Sequence, residues 1–384
     1  MSSSRPPATT TTHYESPATV RFGVPWDTSP CSLSQLASLS SQEFERLENT
    51  AFQHAAAPEA YDIISSSGAL LRSPCGCGAA SVHEDGRHWH VAGGIVAPTE
   101  VKPQFIQWLK QSCEAQKRTL AVYSVSAEDV ATYQEAGFAV NKFGEEPVID
   151  LKNWNWSGHQ FEWVRRQTNF CVREGLVVEE ISQPRQSELF DVLIEIIDDD
   201  LSERVYSQPL RLLEGEFDPR RMYRRRLFVA RDSRTQKIEG FMSASPMHGG
   251  TVWAFETYRK RRAAPRGTIP FLFRKVIDQL QQEGVSRVSL CLVPGREVGT
   301  DLSKVSDARV RWMLNLWYRR LNVLFNTAGQ DFFKSRFRPR YEERFLCVYP
   351  RNSLRSMISF LSTTGAIKPH WGNLWRQLFS RRAA

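Results

Sequence analysis

The densest group of side chains able to grip an anion lies at Leu324–Tyr349, LFNTAGQDFFKSRFRPRYEERFLCVY. There Lys334, Arg336, Arg338, Arg340 and Arg344 are interleaved with Phe332, Phe333, Phe337, Tyr341 and Phe345. Cations take phosphates and rings supply stacking or apolar contact, so the pattern suits nucleic acid or lipid headgroups. The same composition also makes a solvated basic face over a core strand. A second group, Cys75-Gly76-Cys77, His83 and His88-Trp89-His90, offers five ligands of the kinds zinc accepts. Cys-x-Cys departs from the usual zinc spacing, however, and His-x-His falls on one face of a strand through its two-residue period. The stretch reads as a solvated hairpin, and no metal is expected.

A third stretch, Tyr258–Leu272 (YRKRRAAPRGTIPFL), is a strand end, a basic loop and a helix start. It resembles the acyl-CoA site of the GNAT superfamily of N-acetyltransferases, where a glycine-rich loop offers backbone N–H groups to a pyrophosphate. Aligned on Arg262, the first glycine position is Pro265, which has no N–H to donate, and only Gly267 survives. The loop keeps the layout but loses a phosphate donor, which argues against coenzyme A. The plainer reading is a charged loop capping a core helix.

These groups need a scaffold, and the pattern of the chain describes one. Residues 1–25 are Ser/Thr/Pro-rich and are expected to be a disordered tail. Ser40–Ala57 reads as a helix opened by a Ser40/Glu43 capping box. Strand-like runs follow at Tyr61–Ile64, Ala79–His83 and His88–Gly93, the last two joined by a Glu84-Asp85-Gly86 hairpin turn. Pro103–Gln116 is a helix with Phe105, Trp108 and Leu109 near one face. Thr119–Ser124 is a strand, Ala127–Ala136 a helix closed by Gly137, and Phe138–Leu151 a strand, a turn and another strand. The rhythm then repeats: helix Gln160–Glu174, strand Leu176–Ile181, helix Gln186–Asp200, strands Arg226–Arg231, Ile238–Pro246 and Thr251–Tyr258, helix Ile269–Glu283, strand Val288–Leu292, helix Arg309–Leu321 and strand Phe345–Tyr349. This alternation describes mixed α/β sheets in two modules, 26–155 and 156–350, followed by an extension over 351–384.

With 384 residues, 41% hydrophobic and 24% charged, the chain has a globular composition, not a disordered or collagenous one. The net charge of +8 hides an asymmetry. Residues 1–150 carry 10 Lys and Arg against 17 Asp and Glu, and the rest carries 40 against 25. A strongly basic rear half points to an anionic partner. No apolar run is long enough to span a bilayer, and the N-terminus lacks a signal-type apolar region. Seven cysteines, odd in number, read as reduced thiols, giving a cytoplasmic expectation.

Eight stretches in order carry a more specific resemblance: VAGGIVAP (Val91–Pro98), FGEEPVIDL (Phe143–Leu151), IDDDL (Ile197–Leu201), GEFD (Gly215–Asp218), FETYR (Phe255–Arg259), APRGTIPFLF (Ala264–Phe273), FNTAG (Phe325–Gly329) and FKSRFRPRYEERFL (Phe333–Leu346). From about Tyr61 to Pro350 the chain resembles the C-terminal catalytic domain of aminoacyl-phosphatidylglycerol synthases, the phosphatidylglycerol lysyltransferase or multiple peptide resistance factor family. The resemblance implies tandem GNAT-like modules sharing a core, with the competent acyl-transfer cleft in the second. It implies an aminoacyl-tRNA donor, no cofactor, and a lipid hydroxyl acceptor, whether phosphatidylglycerol-like, a sterol or another lipid.

Through the matched motifs, the resemblance nominates Glu256, Arg259, Asp198 and Asp199 as catalytic, each carboxylate a candidate to hold the substrate α-amino group or act as base. Lys334, Arg336, Arg344, Asn326, Arg266 and Gly267 are nominated for substrate binding. Familiar members carry a large transmembrane region ahead of this domain, where this chain has a Ser/Thr/Pro-rich tail. Gln330-Asp331 replaces the family's hydrophobic/basic pair after FN-x-x-G, and Glu256 stands where many relatives have Asp. The amino acid carried is therefore not inherited from the family.

Rival readings keep the donor but use a peptidoglycan-precursor amine, as in Fem-type transferases. Others keep acyl-CoA as donor, or retain the fold as a silent lipid- or RNA-binding module. In the extension, Lys368–Arg382 sets Trp371, Leu374, Trp375 and Leu378 at helical spacing beside Arg376, Arg381 and Arg382. Such a helix suits peripheral contact with the inner face of the cytoplasmic membrane, and equally suits docking on the core.

Overall fold

A computed structural model describes residues 33–64, 68–181, 187–202, 204–206, 210–213, 217–298, 307–320 and 327–366. The N-terminal tail and the Lys368–Arg382 segment lie outside the described residues. The first helix, α1 (Ser41–His54), starts where its sequence says it should. Ser40 Oγ accepts the Glu43 N–H and Glu43 Oε2 accepts the Ser40 N–H at 3.0 Å, a capping box worth about 1 kcal/mol.

After a 3₁₀ turn at Pro58–Ile64 come β1 (Ala69–Arg72), β2 (Ala79–Asp85) and β3 (His88–Val91). The expected hairpin is there, with Asp85 opposite His88. Tyr61–Ile64 is not a strand: all seven residues of the turn are buried, wound between α1 and the sheet. Its β-like composition answered to burial, which a 3₁₀ turn satisfies as well. Helix α2 (Lys102–Ala115) buries Phe105, Ile106, Trp108 and Leu109 in the core of this half, at about 2 kcal/mol per side chain. Strand β4 (Thr119–Ser126) and short helix α3 (Val130–Glu135) lead to β5 (Ala139–Asp150), which runs unbroken through the expected turn.

The second half contains α4 (Glu162–Arg173), β6 (Leu176–Glu180), α5 (Ser187–Leu201), β7 (Arg226–Asp232), β8 (Ile238–Met247), β9 (Val252–Lys260), α6 (Thr268–Gln282), β10 (Arg287–Ser289) and β11 (Val293–Pro294). It closes with α7 (Ala308–Arg320), α8 (Thr327–Ser335), β12 (Arg340–Tyr349) and α9 (Leu354–Thr364). One mixed sheet runs β1-β2-β3-β4-β12-β5-β10-β9-β8-β7-β6, with β11 also on β5. The mixed α/β class expected from the sequence holds. The last strand, β12, lies between β4 and β5 and pairs antiparallel with both. The second half therefore completes the sheet of the first. On the other flank, Phe255, Phe273, Phe333 and Phe337 pack with α6 over β7–β10, with Phe255 and Phe273 edge to face at 5.0 Å.

The cysteines depart from expectation. Cys75 and Cys77 are joined in a disulfide, so the reading of seven reduced thiols is corrected at these two. Cys113, Cys171, Cys291 and Cys347 are thiols outside any disulfide, and Cys31 lies outside the described residues. Among the described residues no three His, Cys, Asp or Glu side chains converge on a metal position. His90 instead shares hydrogen bonds with Tyr123 Oη at 2.9 Å and Ser359 Oγ at 2.8 Å, and burial lowers its pKa to about 4.

Candidate functional site

Parallel strands β9 and β10 stay together for only three residue pairs, Val252–Arg287 to Ala254–Ser289. Beyond that point β9 continues while the other chain is drawn away. Leu290 N–H donates to Pro147 O on β5, and Cys291 N–H donates to Ser289 Oγ with Cys291 at φ +65°. Then β11 lies down on β5 opposite Gly144 and Glu145. Gly144 makes that possible, because a Cβ there would stand 2.3 Å from Val293 O.

Separating two strands strands their backbone groups, and side chains take over. Cys291 Sγ donates to Phe255 O at 3.1 Å, and Lys334 Nζ on α8 donates to Cys291 O at 2.9 Å and Leu292 O at 3.2 Å. The opened wedge is a cleft with about 560 Å³ of free space, solvent at its mouth included. One wall is Phe255–Arg259 of β9, the other is Cys291, Leu292 and α8 residues Gln330 and Lys334, and Pro58 and Glu59 come from the first half. That size suits the reacting end of a substrate.

The polar lining divides by what each group holds. Glu256 Oε2 accepts from Arg225 Nε at 3.2 Å, while its Oε1 is buried with no hydrogen-bond partner. Arg225 in turn reaches Asp62 Oδ1 at 2.6 Å and Ser245 Oγ at 2.9 Å, tying the 3₁₀ turn of the first half to β8 and β9 of the second. Burial alone would lower the Arg225 pKa, yet the Glu256 and Asp62 carboxylates outweigh it and hold the guanidinium above its ordinary value. Arg259 is buried, with Nε 3.5 Å from Asp200 Oδ2. Burial pushes the Lys334 pKa down, and Cys291, Glu59 and Glu146 offset part of that.

Of the residues nominated from sequence, Glu256, Arg259 and Lys334 meet in the cleft. The others do not line it. Asp198 is exposed at the end of α5. Asp199 accepts the Arg262 N–H at 2.7 Å, so a carboxylate occupies a donor of the basic loop. Arg344 is buried in an ion pair with Glu146 at 2.5 Å. Arg336 stacks over Phe332 at 4.4 Å and Trp163 at 5.6 Å. Arg266 is exposed, Gly267 caps α6 at φ +122°, and Asn326 lies outside the described residues.

Sequence reasoning missed Glu59, Arg225, Cys291 and Gln330. For Glu59 a signal existed: two acidic residues in the short, otherwise apolar run PEAYDII, where a charge is costly unless it has work or a partner.

Comparison with known proteins places this geometry in context. The family model described as phosphatidylglycerol lysyltransferase, C-terminal, matches residues 52–348. The phosphatidylglycerol lysyltransferase of Bacillus subtilis is 23% identical over 252 residues, covering 65% of this chain and 28% of that protein. The lysylphosphatidylglycerol biosynthesis bifunctional protein LysX of Rhodococcus jostii is 24% identical over 272 residues, covering 68% of this chain and 23% of that protein. The chain thus spans about a quarter of the length of these curated relatives. The solved structure of L-PGS from Bacillus licheniformis shares the fold at TM-score 0.71 and 19% identity, over 84% of this chain and 95% of that one.

Proposed function

The chain belongs to the phosphatidylglycerol lysyltransferase C-terminal family, and on that premise we propose that it moves an aminoacyl group from an aminoacyl-tRNA to a hydroxyl of a membrane lipid. The observation that carries the reading is the wedge between β9 and β10, which gathers Glu256, Arg259 and Lys334 in one partly desolvated cleft. An aminoacyl-tRNA ester is already activated, so the protein has to orient the acceptor, stabilise an oxyanion and manage one proton. The buried, unpartnered Oε1 of Glu256 suits the substrate α-ammonium, and the Arg259 guanidinium suits the developing negative charge on the carbonyl oxygen. The acceptor oxygen bonds to the carbonyl carbon, the bond to the ribose oxygen breaks, and the ribose oxygen ends with the proton.

No cofactor enters this scheme. In the basic loop Pro265 has no N–H, the Arg262 N–H is bound by Asp199, and the Thr268 N–H donates to Pro265 O. That leaves a poor cradle for the pyrophosphate of an acyl-CoA. Among the described residues no helix is long and apolar enough to cross a membrane. We assign lipid access to peripheral contact at the inner face of the cytoplasmic membrane, with the Lys368–Arg382 segment as its candidate.

The test supplies labelled aminoacyl-tRNAs and a total lipid extract, and follows label into the organic phase. Transfer abolished by prior RNase treatment is the expected result, and RNase-insensitive transfer rejects the donor. Arg259→Ala is expected to cut transfer at least about 100-fold without unfolding the protein. Full activity in that variant removes Arg259 from the site.

A further inference from the structure

We infer that Glu59 is the group that takes the proton from the acceptor hydroxyl, a role that rests on the aminoacyl-transfer reading above. The other acidic side chains around the cleft have partners. Glu256 holds Arg225, Glu146 holds Arg344, and Glu145 holds Lys142 at 2.7 Å and Arg296. Glu59 lines the cleft, is 6% exposed, and its Oε2 is buried with no hydrogen-bond partner. Among the described residues it forms no ion pair. A buried carboxyl with no ion-pair partner and one unsatisfied oxygen, lining a cleft, is costly for stability alone and suits a proton acceptor.

The backbone holds it there deliberately. Gly93, in the VAGGIVAP motif, sits at φ +69° against the 3₁₀ turn, and a Cβ on it would lie 2.2 Å from Ala60 N and 2.5 Å from Glu59 C. The invading turn reaches the cleft only because position 93 carries no side chain.

The charged and titratable groups that act on Glu59 or share its cleft are Glu146 on β5, Arg344 on β12, Lys334 on α8, Glu256 and Arg259 on β9, and the Cys291 thiol after β10. Burial is the largest influence on Glu59 and Glu146 adds to it. The Glu59 backbone N–H, Arg344 and the neighbouring Ser124 hydroxyl offset part of the rise, leaving a pKa of about 7. Such a carboxylate can accept a proton near neutrality and return it. As the new C–O bond forms, the hydroxyl proton passes to Glu59 Oε2. When the tetrahedral intermediate collapses, Glu59 gives it to the departing ribose oxygen, so the cycle consumes no proton and no co-reactant.

The experiment measures label transfer from aminoacyl-tRNA to lipid across about pH 5–9 with the full chain, Glu59→Gln and Glu59→Asp. The wild type should gain rate through about pH 7 and then level off. Glu59→Gln should lose about 10²–10⁴-fold in kcat at high pH, with a flat profile through that region and little change in KM. Glu59→Asp should recover part of the rate and the acid limb. If Glu59→Gln keeps its rate within about threefold and retains the limb, Glu59 is structural and the assignment falls, while the transfer function stands. If the wild type transfers nothing from any aminoacyl-tRNA, the functional reading falls first and takes this role with it. Should Glu59→Gln fail to fold, the rate and profile of Glu59→Asp decide by the same criteria.

Discussion

Replacing Glu59 with glutamine should make the protein more stable above neutral pH and leave it nearly unchanged in acid. Glutamine has the shape of a protonated glutamic acid and cannot ionise. In the folded protein burial raises the Glu59 pKa from 4.5 to about 7. Between those values the folded chain holds a proton that the unfolded chain has released. The stabilisation from that proton is complete below pH 4.5 and is lost as the pH climbs through 7. The gap of about 2.5 pKa units, at about 1.4 kcal/mol each, amounts to roughly 3 kcal/mol. Urea unfolding of both proteins at about pH 5, 6, 7 and 8 reads it directly. The wild type should fall behind Glu59→Gln progressively, by roughly 3 kcal/mol at the top of the range. A difference that stays constant from pH 5 to 8 would refute the reasoning, because Glu59 would then titrate alike in the folded and unfolded chains. The destabilisation of the ionised form is the expected companion of a group kept for chemistry.

Three other outcomes follow from the geometry. Lys334→Met removes the ammonium that satisfies the Cys291 and Leu292 carbonyls and should cost about 1–3 kcal/mol in urea unfolding, even apart from any loss of activity. Gly93→Ala forces a Cβ into the backbone of residues 59–60 and should lower stability by more than about 2 kcal/mol, whereas alanine at the solvent-facing turn glycine Gly86, at φ +58° with open space for a Cβ, should cost less; equal losses in parallel thermal melts would contradict this. Deleting residues 368–384 should abolish flotation with anionic liposomes while aminoacyl-tRNA binding persists, and unchanged flotation would discard the membrane role of that segment. The cut begins after Ala366, which is buried and accepts a hydrogen bond from Tyr206 Oη at 2.9 Å.

What could be read in advance was local. The Ser40/Glu43 box, the Glu84-Asp85-Gly86 hairpin and the apolar face of α2 each depend on residues a few positions apart, and all three formed. The unbroken run of β5 was hidden because Gly144 serves as a landing point for β11, about 150 residues away, where a turn was the natural reading of a glycine. Motifs nominated Glu256, Arg259 and Lys334, which meet. Arg344 came from an equally distinctive motif, but it neutralises Glu146 inside the sheet. Sequence type marks a cation as useful, and only the fold tells whether its partner is a substrate or a neighbour. The PEAYDII run marked Glu59 as unusual but not as a site residue, since its place in the cleft with Glu256 depends on a turn nearly 200 residues earlier in the chain.

The insertion of β12 between β4 and β5 also sets the order in which the molecule can be made. During synthesis, Thr119–Ser126 and Ala139–Asp150 emerge as long strands with unpaired backbone edges, and the strand that covers both begins at Arg340, about 190 residues after the second. At about 5–20 residues per second, those edges wait on the order of 10–40 s for their partner. Open edges of this kind invite pairing with other chains. A fragment ending before Arg340 should therefore aggregate instead of folding as a smaller unit.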